Sequence, residues 1–275
     1  MDHKPIKNVN EVDEQRNSIL MYLVKEFNMD CGLLKELVAL GADLSVINKE
    51  NNSLMHQAAN NPNPDVSEWL LSLNVDTQLV NSKGEKAITI AAEKGLSELF
   101  EMLLPYESST ELNRQNLKGD TLLHILMREY NLQMLSQLLS LKVDITIKNN
   151  AGDLPQLCST SPDKFEILHQ HCLREGIELD INAMNYEGLS CFTDRSGHYL
   201  IDMAKYVCDN FLEKLDYSVR FRGNKNLLHY FCTGGFNEFE DLLKDEIFQE
   251  KCVRDLVNEK DDNGQTPLDY ALEVF

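Results

Sequence analysis

The sequence predicts an all-α solenoid, in which short pairs of helices stack along the chain. The first supporting observation is a motif, clearest at Gly119–His124 (GDTLLH), whose copies begin near residues 51, 84, 119, 152, 188, 223 and 264. Successive copies begin 33, 35, 33, 36, 35 and 41 residues apart. A fixed period in this range is typical of solenoids, whose repeats pack only on their neighbours. Apolar residues between the motifs recur at helical spacing, which is the second observation.

A third observation is an Asn or Asp three residues before most motif starts, at positions 48, 81, 116, 149, 185 and 261. An Asx side chain can bond nearby backbone amides and tolerates left-handed geometry, so a tight turn is predicted at each site. Arg220, which precedes Gly223, departs from this rule.

Composition excludes several functions. The net charge of −19, from 26 basic and 45 acidic residues, argues against a nucleic-acid partner and favours a basic protein partner. No apolar run approaches the roughly 20 residues that span a membrane, and the polar N-terminus does not resemble a signal peptide. Seven Cys at irregular spacings without C-x-x-C favour a reducing compartment, most simply the cytoplasm.

In order, residues 1–16 are predicted to be a polar lead-in and residues 17–275 the repeat domain. A first helix is expected from near Asn17, and a second at Leu33–Leu40 that ends at Gly41, a residue suited to a left-handed stop. The pattern resembles the ankyrin-repeat family, on the strength of Thr121–His124, of Leu54, His56 and Ala58-Ala59, and of paired leucines such as Leu138-Leu139. This resemblance implies a first helix, a loop, a second helix and a hairpin-like finger in each repeat, and fingers and first helices that form the concave face of a curved plate.

Two repeats are degenerate. Leu154-Pro155 stands where a first helix should begin, and Pro162 follows soon after. In the repeat from Gly188, Asp194–Gly197 inserts a loop. Either these repeats have drifted, or residues 188–198 form a functional loop. The last repeat, from Gly264, is incomplete, and we expect the natural chain to continue past Phe275.

Candidate chemistry is sparse. The resemblance implies a structural role for His56, His124 and His229, which share one repeat position. Residues 169–172 (HQHC) do not place both histidines on one helical face, so no metal site is predicted. Cys191 with His198 is a conceivable nucleophile and base, but the family implied by the resemblance is not enzymatic. No cofactor motif is found.

The candidate partner-binding residues are those in the fingers. Tyr186 and Phe221 are predicted to be exposed aromatic anchors, and Phe192 is a weaker candidate. The variable positions that flank the glycines are Lys83, Glu85, Lys118, Asp120, Asn150, Asp153, Glu187, Leu189, Arg222 and Asn224. By contrast, Phe100, Phe165, Phe211, Phe231 and Phe239 fall in apolar stripes and are predicted to be core.

The resemblance implies a non-catalytic module that binds a partner protein through its finger and first-helix face. The alternative is an ankyrin arm that recruits a substrate or target for a larger effector or enzyme. The style of the array resembles intracellular-bacterial effectors and large viruses, for which the partner would be a host protein in the host cytosol. The module is expected to be monomeric.

Overall fold

The computed structural model describes residues 8–26, 31–159, 161–193, 201–233, 249 and 254–273. These residues form an all-α repeat solenoid without a β-sheet, as the sequence predicts; two isolated bridges are the extent of their β-structure. The chain divides into two compact blocks, residues 1–143 and 144–275.

The first block contains short helices, most of which pack in pairs. In chain order they are α1 (Ile19–Leu23), α2 (Cys31–Ala39), α3 (Leu54–Ala58), α4 (Pro64–Ser72), α5 (Ala87–Glu93), α6 (Ser97–Leu103), α7 (Ser109–Leu112), α8 (Leu122–Arg128) and α9 (Leu132–Leu138), with a 3₁₀ turn at Leu104–Tyr106. The first helices α1, α3 and α5 each pack on their own second helix and on the first helix of the next repeat, as α5 does with α6 and α8. The core is continuous because each repeat buries small and aliphatic residues, such as Ala58, Ala91 and Leu126, at the same position.

In the first block, reciprocal polar caps begin two of the first helices. Ser53 and Thr121 accept from the backbone amides of His56 and His124, whose side chains reach back to the cap amides. This reciprocal bonding satisfies amide groups that a helix start leaves unpaired. Lys86 stands at the equivalent position before α5, where the side chain makes no cap bond.

The second block is less regular. Its helices are α10 (Pro162–Glu175), α11 (Ile201–Phe211), α12 (Leu227–Thr233), α13 (Arg254–Leu256) and α14 (Pro267–Glu273), with 3₁₀ turns at Pro155–Cys158 and Leu212–Lys214. The first helix of the repeat from Gly152 is only the 3₁₀ turn, which begins at Pro155. Pro162 does not interrupt a helix: it is the first residue of α10, a position where its missing N–H costs nothing.

The N-terminal segment differs from the predicted lead-in. Asp13 accepts from the amides of Gln15 and Asn17, and Arg16 has a φ of 63°. Residues 13–17 therefore form a finger turn, so the first repeat includes the end of the predicted lead-in. Sequence reasoning missed this turn because Arg16 stands where a glycine was expected.

Aromatic residues form much of the core. Phe100, Phe165, Phe211 and Phe231 are buried, as predicted, whereas Phe239 lies outside the described residues. Helix α14 buries Ala271 but leaves Leu268 and Leu272 58% and 65% exposed.

Candidate functional site

The fingers are built on one repeated turn. The Oδ1 atoms of Asn48, Asn81, Asn116, Asn149, Asn185 and Asp261 each accept from the amides two and four residues later, at 2.9 or 3.0 Å. The third residue after each has a positive φ, for example 75° at Gly84 and 57° at Asn51. The periodic Asn or Asp thus builds the turn as the sequence predicted.

The seventh repeat shifts this register by one residue. The amide of Phe221 donates to the carbonyl of Lys225 at 2.8 Å, and Asn224 takes the left-handed conformation with a φ of 57°. Phe221, and not Arg220, therefore occupies the Asx position. The sequence-based start at Gly223 was one residue early, because Gly223 also has a positive φ.

Each of several fingers carries a second Asx turn that the sequence analysis did not identify. Asp43, Asp144 and Asp216 lie five residues before the main turn, and each accepts from the amide and the hydroxyl of a Ser or Thr two residues later. Hydrogen bonds from Ser45 and Ser218 lower the pKa of the Asp43 and Asp216 carboxyls. The recurring D-x-[ST] spacing is the signal that could have revealed them.

Neighbouring fingers are joined by backbone hydrogen bonds. In the first block, Lys49, Ser82 and Leu117 donate to the carbonyls of Gln15, Glu50 and Lys83 at 2.8–3.0 Å. In the second block, Tyr186, Arg222 and Asp262 donate to Ala151, Gly188 and Gly223 at 2.9–3.1 Å. These bonds hold the turns of each block in one row, so that the side chains at their tips form a fixed surface.

The candidate residues divide between the exposed tips and the buried bases of the fingers. The exposed residues are Lys83, Lys118, Asn150, Tyr186, Glu187, Arg222 and Asn224. The buried residues, against expectation, are Glu85, Asp120, Asp153, Leu189 and Phe221, each at most 6% exposed. The residue that follows the left-handed position is hydrogen-bonded to the Asn of the turn at both its backbone amide and its carbonyl. These two bonds direct its side chain inward.

The buried candidates stabilise the fingers. Carboxylate oxygens of Glu85 and Asp153 accept from the Nδ2 groups of Asn81 and Asn149 at 2.9 and 3.2 Å. Asp120 pairs with Arg128 at 2.5 Å. These carboxylates are committed to partners within the fold, as burial of a charge requires.

A groove of about 710 Å³ lies along the fingers and first helices of the first block. Its charged lining consists of four lysines and three glutamates, Lys25, Lys49, Lys83, Lys94, Glu50, Glu85 and Glu93. Asn52 also lines the groove, and its buried Oδ1 accepts no hydrogen bond from the described residues. Although the chain is strongly acidic, this groove offers nearly balanced charge and an unused acceptor.

The finger tips of the second block carry a different set of exposed side chains. The Tyr186 ring is 75% exposed and lies against Gly152, where a Cβ would be only 2.7 Å from the ring. Arg222 stands on the adjacent finger, with its guanidinium 3.9 Å from the Glu187 carboxylate. An exposed tyrosine beside an arginine is a composition typical of interaction surfaces.

Two histidines connect first helices to the following fingers. His56 Nδ1 accepts from Ser53, and its Nε2 donates to the Glu85 carbonyl at 2.9 Å. His229 makes the same contact with the Gln265 carbonyl at 3.0 Å. Burial lowers the pKa of both rings, which favours the neutral form that this bonding requires. The structural role implied by the resemblance is confirmed for these two.

Two buried thiols, Cys172 and Cys191, are poorly suited to nucleophilic chemistry. Burial raises the pKa of Cys191 to about 12 and that of Cys172 to about 11, so both are protonated at neutral pH. His198 lies outside the described residues. No group of three or more His, Cys, Asp or Glu suited to a metal ion occurs within the described ranges. Among the described helices, none has the length and apolar character needed to cross a membrane.

Comparison with known families agrees with this architecture. A family model for ankyrin repeats in three copies matches residues 20–116 and 55–149. A search of curated proteins found no significant match. Ankyrin repeats generally act as protein-interaction modules and are typically non-catalytic. The helix pairs, capping histidines and fingers described above are the features of such repeats, and residues 20–149 are identified as ankyrin repeats.

Proposed function

We propose that the chain is a non-catalytic module that binds a partner protein through its fingers and first helices. The observation that carries this proposal is the groove of about 710 Å³ in the first block, which is lined by finger and first-helix residues. It presents Lys49, Lys83 and the free Oδ1 of Asn52 on a scaffold held by inter-finger hydrogen bonds. A rigid, pre-organised surface binds with a smaller entropic cost than a mobile one.

The partner segment that suits this groove carries both signs of charge. The overall charge of −19 attracts a basic protein at long range, but it is screened beyond about 8 Å at physiological ionic strength. At contact, the four lysines and three glutamates of the groove select a complementary mixed sequence. Charge of this kind sets specificity and association rate more than affinity.

The test compares two double variants with the same change of charge. Lys49→Ala/Lys83→Ala removes two groove lysines, and Lys35→Ala/Lys142→Ala removes two exposed lysines that do not line the groove. Proteins captured from a cytosolic extract by the unaltered chain are identified and quantified for both variants. We expect at least one stoichiometric protein to be lost with the groove variant and kept with the control. Equal retention by both would contradict binding through the groove.

A further inference from the structure

A second concavity of the first block lies at the bases of the fingers and is apolar. Its volume is about 400 Å³, and its wall includes Leu44, Ile47, Leu73, Val75 and Leu79. All five side chains are only half-buried. We call this concavity the finger-base cleft. Its volume falls within the range of about 300–1,000 Å³ that is usual for ligand pockets. It shares no lining residue with the groove along the fingers.

The charge of the cleft is one-sided. Among its lining residues Asp76 is charged and negative, and none is a lysine or arginine. The Oδ1 atom of Asp76 accepts a hydrogen bond from the backbone amide of Gln78 at 2.8 Å. This bond fixes the carboxylate at the edge of the apolar wall. A cationic group beside an aliphatic one would therefore complement this lining.

The chain closes the corresponding space one repeat later with its own side chains. By position relative to the finger turns, Lys86, Ile88 and Arg114 there correspond to Ser53, Met55 and Leu79 of the cleft. The space left is only about 20 Å³.

Two kinds of group fill that second space. Lys86 places its Nζ 2.7 Å from both the Glu107 and the Glu111 carboxylates. The Leu112 side chain is buried, with 4% exposed. An ammonium paired with carboxylates and a buried leucine thus occupy a gap that is open at the finger-base cleft.

We propose that the finger-base cleft binds a segment of a partner protein in which an aliphatic side chain stands next to a lysine or arginine. The aliphatic group lies against Leu44, Ile47 and Leu79, where it removes half-exposed apolar surface from water. The adjacent cation pairs with Asp76. The partner thereby supplies between these fingers the two groups that Leu112 and Lys86 supply between the next pair.

The experiment uses a display library of random linear peptides selected on the full chain. Enriched peptides are synthesised, and their dissociation constants are measured by fluorescence polarisation. Ser45→Trp places a ring at the mouth of the cleft from an exposed position, and Asp76→Asn removes the charge while keeping the oxygen that accepts from Gln78. Thr146→Trp and Asp144→Asn are the controls, because both residues hold the same finger positions in the second block. Thr146 donates to Asp144 through its amide and its hydroxyl, as Ser45 does to Asp43. Asp144 accepts from the backbone amide two residues later, as Asp76 does, and in addition from the Thr146 hydroxyl.

We expect the enriched peptides to share an aliphatic residue beside a basic one. Their affinity should fall about tenfold or more with Ser45→Trp and about threefold to tenfold with Asp76→Asn, in line with single contacts at interfaces, and stay within about twofold for both controls. Methyl resonances of Leu79 and Val75 in the unaltered chain should shift on peptide addition, which does not depend on the folding of any variant.

Several results would overturn the proposal. They include the absence of enriched peptides, the enrichment of peptides without a cation, and an affinity that Ser45→Trp leaves unchanged. A concentration-dependent mass of the unaltered chain that Ser45→Trp abolishes would also overturn it, since a second copy would then occupy the cleft. Loss of binding only in the Lys49→Ala/Lys83→Ala variant would place the peptide in the groove instead.

Discussion

The turns at Asn81 and at Phe221 have the same backbone but different side-chain support. In both, the amide of the first residue donates to the carbonyl four residues later, at 2.9 and 2.8 Å. The left-handed residue follows at the third position, with φ values of 75° at Gly84 and 57° at Asn224. One finger geometry is therefore compatible with a polar amide and with an aromatic ring at the same position.

The support in the Asn81 turn is polar. Asn81 Oδ1 accepts two amides, its Nδ2 donates to Glu85, and His56 donates to the Glu85 carbonyl. In the Phe221 turn the ring lies edge-on to Phe192 and Tyr230, with centroids 6.1 and 5.2 Å away. A finger turn can therefore be stabilised either by directed hydrogen bonds or by apolar burial.

The preceding residue provides further support to the Phe221 turn. Arg220 Nη1 donates to the carbonyls of residues 217, 218 and 219, and its Nη2 donates to Glu259 at 2.6 Å. The basic residue that breaks the Asx rule in the sequence thus stabilises the segment that leads into the turn.

The largest effect is expected at the apolar turn. Phe221→Ala should lower the free energy of unfolding by about 3–5 kcal/mol, because it leaves a cavity between two rings. Tyr186→Ala on the neighbouring finger is the matched aromatic control and should cost less than about 0.5 kcal/mol, because its ring is 75% exposed. Urea unfolding followed by circular dichroism measures both. Similar losses for the two variants would show that Phe221 is not a core residue.

A smaller effect is expected at the polar turn. Asn81→Ala removes the acceptor for the Lys83 and Glu85 amides, and we expect a loss of about 1–3 kcal/mol. The single tryptophan, Trp69, lies in the first block and reports the unfolding of that block by fluorescence. Lys83→Ala, an exposed change in the same turn, is the control and should stay within about 0.5 kcal/mol. A loss below 0.5 kcal/mol for Asn81→Ala would mean that the backbone alone holds the turn.

The smallest expected effect is a dependence of stability on pH. It should be seen at the Asn81 turn and not at the Phe221 turn. Burial lowers the pKa of His56 in the folded state, whereas the pKa in the unfolded state lies near 6.5. Neutral His56 therefore contributes fully to the free energy of unfolding above about pH 6.5, and this contribution decreases as the pH falls below that value. The slope should not exceed about 1.4 kcal/mol per pH unit for this one proton. The position of His56 is taken by Thr193 in the repeat before the Phe221 turn.

Hydrogen exchange, corrected for intrinsic rates, distinguishes the turns. Protection of the Lys83 and Glu85 amides should decrease between pH 7 and pH 5.5 more than protection of the Phe221 amide. In His56→Gln this difference should disappear. An equal decrease in protection at both turns, or an unchanged decrease in His56→Gln, would show that His56 does not cause the pH dependence.

Much of the architecture was predictable, because the information is local. The Asx residue, the left-handed residue and the capping pair all act within about five positions, so their spacing is visible in the chain. Burial at the finger tips was less predictable. Asp120 and Lys118 are equally polar in sequence and flank the same glycine, yet one is buried against Arg128 and the other is exposed.

The helical repeat, its period and nearly every finger turn follow from local sequence, since each depends on residues a few positions apart. Three features depend on tertiary contacts: which finger residues face solvent, that Phe221 is a core residue and Tyr186 a surface one, and that one finger-base space is open while the next is closed. These outcomes depend on contacts between side chains of different repeats, about 30 residues apart in the chain, and no local pattern encodes them.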